Sequence, residues 1–109
     1  MRGMDNESSE LCKAINLFPG IRTIESCCGH GHTPYRVWFV AKNLKVLPRL
    51  IYYFAACHCG FVGWKVEVIT DCGMSPVAFL LEGPIGQQAY DESKVLAELL
   101  QREIQTNLD

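Results

Sequence analysis

Two thiols, two imidazoles and two glycines are packed into Cys27-Cys28-Gly29-His30-Gly31-His32, with Ser26 before the run and Thr33-Pro34 after it. Neither a core nor a plain turn calls for that mixture. Glycine frees the backbone, whereas Cys and His carry nucleophilic, proton-transfer and metal-ligand chemistry. Three chemistries are open to the run. Tetrahedral zinc takes thiolate and imidazole, and in an extended loop Cys28, His30 and His32 would face one way, with Cys57 or Cys59 as a fourth ligand. The spacing lacks a paired Cys-x-x-Cys, so Cys12, Cys57 and Cys59 can equally be small buried hydrophobes and His58 a surface residue. Covalent or acid-base catalysis would use Cys27 or Cys28 as the thiolate, His30 or His32 as the base, and Asp71 to orient that base. Ligand capture would use Gly29 and Gly31 to turn successive amides into an anion nest, with Ser26, His30, His32 and Ser75 as side-chain donors to a phosphate or carboxylate.

Charge bears on the last of these. A net charge of -2 argues against a dedicated nucleic-acid binder, yet from Ser26 to Val66 the charged side chains are Arg36, Lys42, Lys45, Arg49 and Lys65, all basic. From Glu67 onward the excess is acidic. The basic half contains the motif, which suits a small anionic ligand or a nucleic acid, although short charge runs are commonly solvated faces. Trp38 and Trp64 lie beside glycine-rich turns, where a ring can stack on a base, although core packing is the ordinary role of such aromatics. Gly83-Pro84-Ile85-Gly86 reads as a turn, without the lysine of a phosphate-binding loop.

These residues need positioning, and 109 residues with 49% hydrophobic content suffice for one core and one domain, 1–109. Six cysteines at this length could staple a secreted fold, but adjacent Cys27 and Cys28 are awkward for ordinary disulfides, and the thiols read as reduced. No basic-then-apolar leader and no apolar run near the roughly 18 residues of a membrane span is evident, so the expectation is a cytoplasmic protein with no membrane partner.

Leu11, Cys12, Ile15 and Phe18 predict a helix that ends at Pro19-Gly20. Strands are expected over Ile21 to Ser26 and Tyr35 to Val40, joined by the motif. Asn43 should cap a helix that ends before Cys57, with Pro48 kinking it or marking its true start. Trp64 to Asp71 alternates in the period of a half-buried strand, and Val77 to Glu82 forms another, closed by Gly83-Pro84. A last helix presents Val95, Leu96, Leu99, Leu100 and Ile104 on one face, and Glu92, Lys94, Glu98, Arg102 and Glu103 on the other.

The order αββαββα contains two hairpins of one pattern. Cys28-Gly29 precedes Thr33-Pro34 and a strand with Phe39, while Cys72-Gly73 precedes Ser75-Pro76 and a strand with Phe79. We read a tandem ββα duplication, with units at about 21–58 and 64–107. The expected fold is α+β and two-layered, a four-stranded, mainly antiparallel sheet with helices on one face. If the two Cys-Gly turns meet near the pseudo-twofold axis, Ser26, Cys28, Gly29, His30, Gly31, His32, Cys72 and Ser75 line a cleft for an anionic or nucleotide-like ligand. The open sheet face could support a homodimer.

Ser26-Cys27-Cys28-Gly29, with Cys59-Gly60-Phe61 and the repeated strand-strand-helix layout, resembles the catalytic domain of the tRNA wybutosine-synthesising methyltransferase family. That resemblance implies S-adenosylmethionine as cofactor and a modified guanosine in tRNA as substrate. The family is longer and has a basic residue after its motif glycine, where this chain has His30-Gly31-His32, so only Ser26, Cys27 and Gly29 carry over. Thr70-Asp71-Cys72-Gly73-Met74-Ser75-Pro76, with Glu82-Gly83-Pro84-Ile85-Gly86, is similar to small uncharacterised bacterial and phage-encoded proteins. The leading expectation is an anion-binding domain. The alternatives are an S-adenosylmethionine-dependent RNA methyltransferase and a zinc-stabilised interaction module.

Overall fold

The computed structural model describes residues 6–54, 61–69 and 78–107, and its first helix, α1 (Asn6–Asn16), follows the apolar spacing. Leu11, Cys12, Ala14 and Ile15 are buried, while Lys13 and Asn16 face outward. The helix end is fastened to the sheet by one side chain. Asn16 Nδ2 donates to Thr23 Oγ1 at 2.9 Å, and its Oδ1 accepts from the Thr23 N–H at 2.8 Å. The register of the first strand slips just after Thr23.

The chain continues through β1 (Ile21–Cys27), β2 (Pro34–Ala41), α2 (Leu47–Tyr52), β3 (Lys65–Ile69), β4 (Ala78–Ile85) and α3 (Gln87–Asn107). The strands form one antiparallel sheet in the order β1-β2-β4-β3. Alternation along the central strands points Tyr35, Val37, Phe39, Phe79 and Leu81 to one face, where they bury with Leu11 and Ile15 of α1, Leu50 of α2, and Leu96 and Leu100 of α3. Each such side chain contributes about 1.5–3 kcal/mol of burial. The architecture is therefore α+β, with the helices gathered on one face. Among the described residues no helix is long and apolar enough to cross a membrane.

Local chemistry redraws four of the expected elements. The second helix is only six residues long, because Pro48 lies in its first turn and fixes its start, while Asn43 Oδ1 accepts from the Lys45 N–H at 3.0 Å in a turn ahead of it. Gly83 and Pro84 lie within β4 and not in a turn. Arg36 pairs with Glu82 and Pro34 with Ile85, so Gly83 and Pro84 bulge opposite the single residue Tyr35, and the chain turns at Gly86, where φ is +82°. β3 is an edge strand, with Val68 exposed. In α3, Val95 is 44% exposed, whereas Glu103, expected in solvent, is 7% exposed.

The register also separates the strand ends that flank the two turns. Cys27 and Pro34, which flank the first, lie at the Ile85 end of β4, whereas Ile69 and Ala78, which flank the second, pair at its other end beside Val40. Antiparallel pairing of β2 with β4 imposes this, since meeting turns would need those strands to run parallel. The strand ends from which the two Cys-Gly turns of the expected junction leave therefore lie at opposite ends of β4. Thr70 to Val77 themselves lie outside the described residues.

Candidate functional site

The turn between β1 and β2 is built on three consecutive left-handed residues, Gly29 (φ +81°), His30 (φ +50°) and Gly31 (φ +83°). The Gly29 carbonyl accepts from the His32 N–H at 2.9 Å, the Thr33 N–H at 3.1 Å and Thr33 Oγ1 at 3.4 Å. A β-carbon at Gly29 would stand 3.1 Å from the Pro34 carbonyl oxygen, so glycine is needed for space as well as for φ. At Gly31 only φ asks for glycine, because nothing lies within 4 Å of a β-carbon there. The base of the turn is packed and its tip stands clear.

This backbone brings Cys28 and His30 together. Cys28 Sγ lies 3.8 Å from His30 Nδ1 and 3.8 Å from the Tyr90 hydroxyl, which donates to it from the first turn of α3. Cys28 is 1% exposed, while His30, Gly31, His32 and Thr33 are all exposed. Cys27 points the other way along the strand, and its sulfur accepts the Gly29 N–H at 3.4 Å. Of the four thiol-imidazole pairings open in the sequence, the turn forms Cys28 with His30. Tyr90 carries no comparable sequence signal beyond its place four residues after Gly86.

Other candidates are drawn elsewhere. Ser26 is buried on the core face of β1 and hydrogen-bonds the Cys12 thiol, which burial pushes above the usual thiol range while the Ser26 bond acts the opposite way. Among the described residues no three His, Cys, Asp or Glu side chains converge as metal ligands would. Cys57, Cys59, Asp71, Cys72 and Ser75 lie outside the described residues.

Three of the five basic side chains between Ser26 and Val66, Arg36, Arg49 and Lys65, are paired with carboxylates. Arg36 Nε meets Glu82 Oε2 at 2.9 Å, and Lys65 Nζ lies 3.4 Å from Glu82 Oε1, a ladder across β2, β4 and β3 that holds the Glu82 carboxyl below its usual range, chiefly through the Arg36 hydrogen bond. Arg49 pairs with Glu103 at 2.8 Å. Trp64 is a core residue, edge-on to Tyr35 with centroids 5.5 Å apart and donating its indole N–H to Glu92 at 2.8 Å, whereas Trp38 is half-buried on the face opposite the helices.

Fold and turn together define a small α+β domain with a thiol-imidazole-phenol contact at one end of an antiparallel sheet. No family model, curated protein or solved structure matches the chain.

Proposed function

We propose that the sheet end capped by the Cys28-to-Thr33 turn binds an anionic ligand, a phosphate or carboxylate such as a nucleotide-like molecule presents. The observation that carries this reading is the Tyr90 contact with Cys28, which sets the first turn of α3 against the turn bearing both imidazoles. A helix leaves its first N–H groups without intrahelical acceptors and concentrates positive potential there. α3 runs for 21 residues and has no acidic side chain in its first turn. In the second turn, Asp91 accepts from Gln87, and Glu92 accepts from Trp64 and Gln88.

His30 and His32 are exposed on the turn whose Cys28 meets Tyr90, and with His30 Nδ1 toward Cys28 the nitrogens open to a ligand are His30 Nε2 and those of His32. The donors are side chains and the helix terminus more than a backbone nest, because the Gly29 N–H is directed to Cys27, and the His32 and Thr33 N–H groups to Gly29. Among the described residues no enclosed pocket is found, so the ligand meets an open surface and binding depends on salt.

Thermal-shift titration at low salt with inorganic phosphate and nucleoside monophosphates tests the reading. The wild-type chain should gain stability with ligand concentration. Gly29→Val combined with His30→Ala should lose that gain, and an equal gain in the double variant would sink the proposal.

A further inference from the structure

We infer that Cys28 is a nucleophilic thiol, deprotonated by His30 and steadied by Tyr90, that undergoes exchange with small disulfides carrying carboxylates. The carboxylate preference rests on the anion-binding reading above, whereas the nucleophile rests on the geometry around its sulfur. Cys28 Sγ is met by polar groups from two elements, His30 Nδ1 and the Tyr90 hydroxyl, each at 3.8 Å. In the thiol form, S–H faces a neutral Nδ1 that can accept its proton while Tyr90 donates to sulfur. Once the proton has moved, Nδ1–H and the phenol both donate to S⁻, and these two bonds offset the cost of placing charge on a sulfur that is 1% exposed. Neither of the other described thiols has this surrounding. Cys12 is buried on Ser26, and Cys27 accepts the Gly29 N–H.

His30 is the only non-glycine residue with positive φ among those described. Asparagine, aspartate and histidine are the side chains that occupy this backbone most readily after glycine, and here it turns the His30 ring onto Cys28. The sulfur is covered at rest. Exchange therefore requires the sulfur to be uncovered, and the exposed His30 and the turn tip at Gly31, which stands in open space, are the neighbours with room to move.

In the reaction the thiolate attacks one sulfur of the disulfide. The S–S bond breaks as the Cys28–S bond forms, and the other half leaves as a thiolate. The proton taken from Cys28 stays on His30 Nδ1 until it passes to the leaving thiolate or to water. One disulfide is consumed and one mixed disulfide is made, so no external oxidant is needed.

The native protein is treated with dithiobis-nitrobenzoate, a dicarboxylate disulfide, and with cationic cystamine, and labelled cysteines are located by peptide mapping from about pH 6 to 9, a span that brackets the ordinary thiol value. Each rate is normalised to that of free cysteine. Cys28 should be labelled, with a rate already level near neutral pH. His30→Asn tolerates the left-handed backbone and removes the base, so it should slow labelling about tenfold near pH 7 and restore the rise through about 8.5 of an ordinary thiol. Tyr90→Phe should show a smaller change of the same sign. Labelling of Cys27 with Cys28 untouched overturns the inference, as does an unchanged Cys28 profile in folded His30→Asn. Equal normalised rates for the two reagents, with the His30 dependence intact, keep the nucleophile and remove the anion-binding reading.

Discussion

Glu103 sits where the helical pattern of α3 puts solvent, yet it is buried, and its carboxylate accepts from Arg49 Nη1 at 2.8 Å and from the Tyr53 hydroxyl at 2.5 Å. Both partners come from α2 or its end, so this one side chain fastens the short helix to the long one. Removing either partner from a buried carboxylate costs more than the bond itself is worth. The Tyr53 phenol is pushed up to about 12 from an ordinary 10, first by burial and then by the Glu103 hydrogen bond. A raised folded value means that the unfolded chain releases its proton first, so this contribution is whole below about pH 10 and is lost as pH rises toward 12. Thermal melts of wild type and Tyr53→Phe across that window should show a steeper decline in the wild type. Parallel curves would count against the coupling. At the same scale, the thiol and imidazole of the candidate site were legible as neighbours in sequence. Which thiol meets which imidazole was not, because it depends on three successive left-handed residues that reverse the ring of His30 onto Cys28 and not onto Cys27.

At the scale of elements, the strands followed their period of two wherever both neighbours in the sheet impose it, and failed where a distant side chain intervenes. Gly83 illustrates this. A glycine before a proline reads as a turn, but a β-carbon at Gly83 would come within 2.5 Å of the Trp64 ring, so the glycine exists to admit that indole beside a bulged strand. Trp64 in turn packs against Tyr35 and Phe54 and is anchored on α3 through Glu92. Gly83→Ala should therefore destabilise by about 1–3 kcal/mol through overpacking, read as a lower urea midpoint with an unchanged slope. It should also shift the tryptophan fluorescence, because the displaced ring is Trp64. A variant as stable as wild type would mean that the indole has room to move. The second helix teaches a related lesson. Pro48 was visible as its start, whereas its end at Tyr52 has no breaker in the sequence; there the chain tightens, with the Phe54 N–H donating to the Ile51 carbonyl at 2.9 Å and the Tyr53 hydroxyl donating to Glu103.

For the whole molecule, the repeated hairpins are arranged symmetrically as β1-β2-β4-β3, and Phe39 and Phe79, the aromatics common to both, are register partners stacked 5.3 Å apart on the core face. The repeat was legible from those residues. The direction in which one hairpin meets the other was not, because a hydrophobic face looks the same in sequence whether its neighbour runs parallel or antiparallel. That direction decides how the molecule can work. With β2 and β4 antiparallel, the flanks of the two Cys-Gly turns are separated by the length of β2, roughly 20 Å at the usual rise per residue. A ligand held at the first turn must then be held by that turn and the start of α3. Sites more than about 10 Å apart with no shared partners add to within about 0.5 kcal/mol. Gly29→Ala, which forces a side chain into left-handed backbone and toward the Pro34 carbonyl, should cost about 1–2 kcal/mol. Combined with Cys72→Ser in the second turn, its cost in urea unfolding should simply sum with that of the second change. An interaction energy above about 1 kcal/mol in this cycle would show the two turns in contact and restore a site shared between them.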